Sequence, residues 1–269
     1  MQIKHKAGML GILFCLMCFL PLRVSAADKE KEREYDFNEN KTVTVSDKRS
    51  YAATEKYTWL KYKPAADGYL TITVSDAQGA EEAAKGYIAL YNSKKTGLLS
   101  SNAIFYNTTH SKNRFWYQFT FGMLKGQEYY IRIKAENAAE FSRAFTKVKD
   151  VSGISRIKAK NLKKNKARMG LIPAGVSNTD WYQINLTQKQ KIRLYYNAKT
   201  SGSFKLSVYM GTRLIGRKNI YYTSGQRKLT LCQRKGSSTK KSGMNAGKYY
   251  IKIERANTTS SGYYKIKWN

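Results

Sequence analysis

Hydrophobic and polar residues alternate along most of this chain with a period of two. Ile192 and Leu194 alternate with Lys191 and Arg193, and Tyr249, Ile251 and Ile253 alternate with Lys248, Tyr250 and Lys252. Tyr264, Ile266 and Trp268 do the same against Lys265 and Lys267. Strict alternation puts one face of a strand on a core and the other in water. The runs are rich in Tyr, Ile, Val, Phe and Thr, which pack well on a pleated surface. Turn signals separate them, among them Ala66-Asp67-Gly68, Lys94-Lys95-Thr96-Gly97, Thr200-Ser201-Gly202 and Thr259-Ser260-Ser261-Gly262. No long segment shows helical periodicity. Residues 28–40, dense in mixed charge, are expected to form a short helix or to stay disordered.

The pattern is duplicated. Trp59-Leu60-Lys61-Tyr62 answers Trp181-Tyr182-Gln183-Ile184, 122 residues on. The run Tyr69–Val74 answers Lys191–Tyr196, Gly86–Tyr91 answers Gly202–Tyr209, and Gly126–Ile133 answers Gly247–Ile253. Four ordered matches at a nearly constant offset predict two copies of one unit. Several short strands per copy predict an all-β chain of two tandem β-sandwiches, jelly-roll-like. The expected order is a charged segment over 27–40, a first sandwich over 41–150 and a second over 151–269, joined by residues 149–160.

The first 26 residues read as a secretory signal peptide. Lys4 and Lys6 precede a mostly apolar run from Ala7 to Leu22, and Val24-Ser25-Ala26 is a small-residue cleavage pattern before Ala27. No second apolar stretch follows, so no transmembrane anchor is expected and the mature chain is expected outside the cell, held to the wall by charge if at all. Cys232 is the one cysteine left after residue 26, which excludes an internal disulfide and fits a bacterial exported protein stabilised by core burial. Within Leu229-Thr230-Leu231-Cys232 it reads as a small apolar strand residue.

Charge separates the two copies. Residues 27–150 carry 20 Lys+Arg against 16 Asp+Glu, whereas residues 151–269 carry 26 against two, Asp180 and Glu254. A surplus of 24 positive charges on one small module repels itself unless a polyanion screens it. The candidate contacts are Lys163, Lys164, Lys166 and Arg168 ahead of the second tryptophan strand, Arg213, Arg217 and Lys218 in one middle segment, and Arg227, Lys228, Arg234, Lys235, Lys240 and Lys241 in another. Anionic polymers of the cell wall, a polysaccharide or host matrix are the expected partners. A protein partner, with the chain as structural or accessory subunit of a secreted enzyme or surface complex, is the alternative. Nucleic acid is not the expected partner, because no nucleic-acid motif occurs and the leader directs export.

Catalytic chemistry is not expected. After residue 26 the only histidine is His110, in a polar loop, and neither a metal-binding spacing nor a nucleophile elbow occurs. No cofactor is expected. Glu81-Glu82 reads as a solvated turn. Trp59, Trp116 and Trp181 fall in the phase opposite to the core residues, so they form an aromatic platform if open, or are covered by a neighbouring strand or the paired unit.

The second unit resembles the bacterial pre-peptidase C-terminal domain, and is similar to the collagen-binding modules of clostridial collagenases. The likeness rests on Asp180-Trp181-Tyr182-Gln183-Ile184, on Ala246-Gly247-Lys248-Tyr249-Tyr250-Ile251-Lys252-Ile253 and on Gly262-Tyr263-Tyr264-Lys265-Ile266. It covers roughly residues 154–269 and extends more weakly to 41–148, where Thr58 stands in place of Asp180. The resemblance implies a small β-sandwich that binds rather than catalyses. Some members hold calcium through acids near the start of the module, where the second unit has none.

Overall fold

Alternation becomes strand throughout the computed structural model, which describes residues 32–45, 57–106, 117–234 and 241–269. The first group of strands is β1 (Arg33–Asp36), β2 (Thr42–Val45), β3 (Thr58–Tyr62), β4 (Gly68–Asp76), β5 (Lys85–Tyr91), β6 (Ala103–Tyr106), β7 (Tyr117–Met123), β8 (Tyr129–Ala135) and β9 (Ala139–Lys147). The second is β10 (Lys160–Asn161), β11 (Arg168–Ile172), β12 (Thr179–Leu186), β13 (Ile192–Ser201), β14 (Phe204–Met210), β15 (Arg213–Ile220), β16 (Arg227–Leu231), a short hairpin of β17 (Gln233–Arg234) and β18 (Lys241–Ser242), then β19 (Gly247–Arg255) and β20 (Ser261–Trp268). The expected signal peptide, Trp116, His110, Lys235 and Lys240 lie outside the described residues.

Within the charged segment expected as helix or disorder, residues 33–36 are instead strand β1, paired in parallel with β3. Two inward anchors decide this. Tyr35 packs on the first core and Phe37 is fully buried in it, while Arg33 and Glu34 ahead of them are exposed. Glu34 pairs with Lys95 at 2.8 Å, and the Glu32 carboxylate accepts the Trp59 indole N–H at 2.7 Å. Tertiary partners override a composition that reads as solvated.

Each group forms two sheets. The first has the orders β1-β3-β8-β5-β6 and β2-β9-β4-β7; the second has β10-β12-β19-β14-β15 and β11-β20-β13-β16. The two sets are the same arrangement, strand for strand, including a parallel pair at one edge, β1 with β3 and β10 with β12. The matched runs of the sequence fall on equivalent strands: β3 and β12, β4 and β13, β5 and β14, β8 and β19. Inward residues of both sheets meet in one core per sandwich, with Tyr129, Phe121 and Phe141 in the first and Tyr182, Tyr249 and Phe204 in the second. Burial of such side chains contributes roughly 1.5–3 kcal/mol each against exposure.

Strand β7 joins the sandwiches. It is the edge strand of its sheet, and its counterpart in the second sandwich is β16. Phe119 and Phe121 face the first core, whereas Gly122, in the other phase, lies flat against the second sandwich. The Ala174 N–H donates to the Gly122 carbonyl at 2.9 Å, and the Gly122 N–H donates to Ser261 Oγ at 3.3 Å. Beside this contact Tyr69 stacks on Tyr263 with ring centroids 5.1 Å apart, over a small cluster that includes Val148 and Leu171. Residues 32–269 form one compact unit. The counterparts differ in charge as their surroundings require: β7 (YQFTFGM) carries none, while β16 (RKLTL) begins with two exposed cations. An uncovered edge needs charge to block unwanted pairing, and a covered edge must avoid it.

Gly122 tests this joint. A Cβ there would sit 2.4 Å from the Ile172 carbonyl oxygen and 2.8 Å from the Gly262 nitrogen, both backbone atoms. Gly122→Ala is expected to force the sandwiches apart at this point and to destabilise the protein by about 1–3 kcal/mol, read as a lower urea midpoint. Gly79→Ala, with open space around its Cβ position but a φ of +74°, serves as the comparison for backbone strain without crowding.

Candidate functional site

Part of the cations of the second sandwich line one edge and the end into which that edge runs. Strands β15 and β16 are the outer strands of the two facing sheets. They meet side to side, since a Cβ at Gly216 of β15 would lie 2.5 Å from Leu231 Cδ2 of β16. Arg213, Arg217 and Lys218 are exposed on β15, and Arg227 and Lys228 on β16. From Leu231 the chain passes through half-buried Cys232, just beyond the end of β16, into the β17–β18 hairpin that carries Arg234 and Lys241. Behind the hairpin, Gln190 and Met244 exchange backbone hydrogen bonds at 3.0 and 2.8 Å. Gln190 in turn accepts from Lys164 Nζ at 3.4 Å. Lys164 belongs to the exposed loop that also holds Lys163 and Lys166. Arg168 follows this loop as the first residue of β11, where it is half-buried.

No acid tempers the field there. Residues 181–253 contain neither Asp nor Glu. Both acids of the second copy lie at the far end, where Asp180 stands opposite Ile253 in register and Glu254 pairs with Lys252 at 2.7 Å. In the first sandwich three acids are ion-paired: Glu128 with Lys61 at 3.0 Å, Glu136 with Lys85 at 2.6 Å, and Glu34 with Lys95.

The outward tryptophans form two equivalent clusters, each capped by cations. Trp59 is 4% exposed. Tyr91 and Tyr130 meet it edge-on at 5.3 and 6.2 Å, Lys95 Nζ lies 5.1 Å from its ring centroid, and Arg132 covers Tyr57 and Tyr91 at 4.3 and 4.7 Å. Register places Trp181, Tyr209, Tyr250 and Lys252 at the equivalent positions. Lys252 Nζ is 5.9 Å from the Trp181 ring, and Arg156, from the segment joining the sandwiches, lies 4.4 Å over Tyr250. Such contacts use the ring quadrupole to hold a cation. Trp59 is thus covered rather than presented as a platform, and Trp181 is half-buried. Beside the first cluster an open cleft of about 300 Å³ is lined by Tyr57, Tyr87, Asn102, Arg132 and Lys134 among others. Arg132, Lys95 and Arg156 were not legible as cluster members, because nothing in their local sequence marks a cation that folds over a ring.

Asp180, the first residue of the tryptophan motif, is buried. Its Oδ2 accepts from Tyr264 at 2.6 Å and its Oδ1 from Ser152 at 2.9 Å, and the Tyr182 and Tyr264 hydroxyls meet at 2.9 Å. Burial, with the nearby Asp150 charge adding to it, pushes the Asp180 carboxyl up to about 7, against the opposing effect of its two hydrogen bonds. The first sandwich has no such network. The positions of Asp180, Tyr182 and Tyr264 are held there by Thr58, Leu60 and Ala139, all buried. Gly170 leaves room for the second network, since a Cβ there would strike the Tyr264 ring at 2.2 Å; Val45 fills the same place over Ala139. Among the described residues, no group of three or more His, Cys, Asp or Glu side chains is placed to hold a metal ion.

No protein-family model matches this chain, and neither does a curated protein sequence. Solved structures to which it is similar include the M60 catalytic domain with two CBM51 domains of Clostridium perfringens ZmpB, at 7% identity and a TM-score of 0.24, over 79% of this chain and 33% of that one. A carbohydrate-binding module, CBM36 in complex with calcium and xylotriose, matches at 16% identity and a TM-score of 0.25, over 40% of this chain and 93% of that one. The secreted serine protease VesC of Vibrio cholerae matches at 13% identity and a TM-score of 0.27, over 79% of this chain and 46% of that one. Likeness at this level carries no site residue across.

The Asp180 network makes stability depend on pH. A carboxyl raised from 3.8 to about 7 on folding binds its proton more tightly in the folded state. Stability is then fully present below about pH 4 and falls as pH rises towards 7. At about 1.4 kcal/mol per pKa unit, the ionised group costs on the order of a few kcal/mol. Asp180→Asn, which keeps an acceptor for Tyr264, is expected to be more stable than the parent at pH 8 and to lose most of the decline between pH 5 and pH 8 in urea midpoints. An identical decline in both proteins contradicts the buried-carboxyl reading.

Proposed function

We propose that this chain is an exported, non-catalytic binding protein that attaches to anionic surface polymers through the cationic edge and end of its second sandwich. One observation carries the reading: 26 basic residues stand against two acids in residues 151–269, and residues 181–253 are free of acids altogether. Exposed cations on β15 and β16 form a row suited to a linear polyanion, and the loops at the end of the sandwich extend it. Each contact with solvent-exposed charge is weak and screened by salt, so attachment depends on many contacts made together. The signal-like leader supports an extracellular location. The resemblance to pre-peptidase C-terminal modules supports binding over catalysis, and so does the burial of Asp180 away from solvent. Wall polymers, acidic polysaccharides and sulfated matrix polymers share the chemistry required, a dense line of fixed negative charge.

Retention of the purified protein on anionic wall polysaccharide or heparin is expected to fall steeply as salt is raised. Replacing Arg217, Lys218, Arg227 and Lys228 together by Glu is expected to move elution to much lower salt and to flatten the dependence. The same number of replacements at Lys61, Lys63, Lys85 and Lys125 of the first sandwich is expected to move it far less. Retention that ignores salt, or that responds equally to both sets, contradicts the reading.

A further inference from the structure

The segment between the sandwiches carries two aliphatic side chains that the fold leaves bare. Ile157 is 99% exposed and Ile154 is 75% exposed. Large aliphatic residues on a folded surface lose the gain of burial unless something outside the chain covers them. This loop is braced. Gly153 and Trp181 exchange backbone hydrogen bonds at 3.0 and 2.8 Å, the Lys158 N–H donates to Ser155 Oγ at 3.3 Å, and Arg156 lies over Tyr250 while donating to the Gly211 carbonyl. Arg156 points in and its neighbours Ile154 and Ile157 are held out.

The bond to Gly211 ties this loop to the turn between β14 and β15. There Met210 and Leu214 are also exposed, and Leu214 stands opposite Tyr209 in register, at the end of the second aromatic cluster. Four exposed aliphatic side chains thus occupy two segments joined by one hydrogen bond. The exposed charges on the same segments are Lys158, Lys160 and Arg213, and no acid occurs from residue 151 to 179 or from 181 to 253. The first sandwich covers its equivalent cluster differently, with the acid–base pair of Glu34 and Lys95 and with Glu32 on Trp59.

We infer that this face is a membrane-contact surface, on which Ile154 and Ile157 enter the headgroup–acyl boundary of an anionic bilayer while Lys158, Lys160 and Arg213 meet its lipid phosphates. Aliphatic tips set among cations match an interface that is apolar below and negative above. A polysaccharide offers negative charge but no apolar layer to receive the isoleucines. The inference goes beyond attachment by charge, which needs the cations alone.

Co-sedimentation with vesicles of phosphatidylcholine, with or without phosphatidylglycerol, tests it against binding to heparin. The parent protein is expected to bind the vesicles that contain phosphatidylglycerol. The double variant I154S/I157S is expected to bind them at least roughly a hundredfold more weakly, in line with the loss of two buried aliphatic side chains from the interface, and to bind heparin as the parent does. Equal vesicle binding by parent and variant reduces the contact to charge alone and overturns the inference, as does the absence of vesicle binding by the parent, which leaves the isoleucines to a protein contact. A parent that fails to bind heparin instead sinks the reading of attachment to anionic polymers, whatever the vesicles show.

Discussion

Burial of the inward phase of each strand between two facing sheets is the constraint on which this protein depends. With Cys232 as the one cysteine beyond residue 26, no disulfide can form within residues 27–269. Every strand must therefore present its apolar side to a core and keep its polar side out, because a slip of one residue would exchange the two faces. Both cores are built on the same plan, and Tyr supplies much of their volume: Tyr129 in one, Tyr182, Tyr249 and Tyr264 in the other. A buried Tyr brings a hydroxyl that needs a partner. The Leu124 N–H donates to the Tyr129 hydroxyl at 3.1 Å, and the Tyr249 hydroxyl donates to the Asn245 carbonyl at 2.7 Å.

Duplication left the framework unchanged and let local chemistry diverge within it. Thr58, Leu60, Ala139 and Val45 make an apolar patch in the first sandwich. Asp180, Tyr182, Tyr264 and Gly170 make a polar network at the same positions in the second, with volume conserved by trading a larger side chain on one strand for a glycine on its neighbour. Ser152 adds the joining segment to that network. The network thus braces the segment that carries Arg156 across the outer sheet, as well as the core it sits in.

Electrostatics divide the labour between the copies. The first nearly balances its acids and bases in number and docks its uncharged edge strand β7 onto its neighbour. The second leaves the equivalent strand β16 open and charged, beside an equally charged β15. A row of cations on an open edge opposes edge-to-edge association. The attachment to polyanions proposed above would give the same row a second use and would screen its self-repulsion.

Periodicity was enough to read strands, their inward faces and the repeat, because alternation and burial are two statements of one fact about a pleated sheet. Tyr182, Ile184 and Leu186 went to the core, and Trp181 away from it, as their phase requires. Composition was enough to read the charge asymmetry, which needs no coordinates. What lay beyond the sequence depends on partners distant along the chain. Residues 33–36 become strand because Tyr35 and Phe37 find a core. Arg168 is half-buried while Lys163, Lys164 and Lys166 are exposed, because it opens strand β11 and they lie in the loop before it. Gly122 is a joint only because Ile172 and Gly262 lie against it, and Ile157 stands bare only because Arg156 is drawn inward to Tyr250 and Gly211. Local pattern determines which face of an element is apolar; what meets the other face is decided by packing.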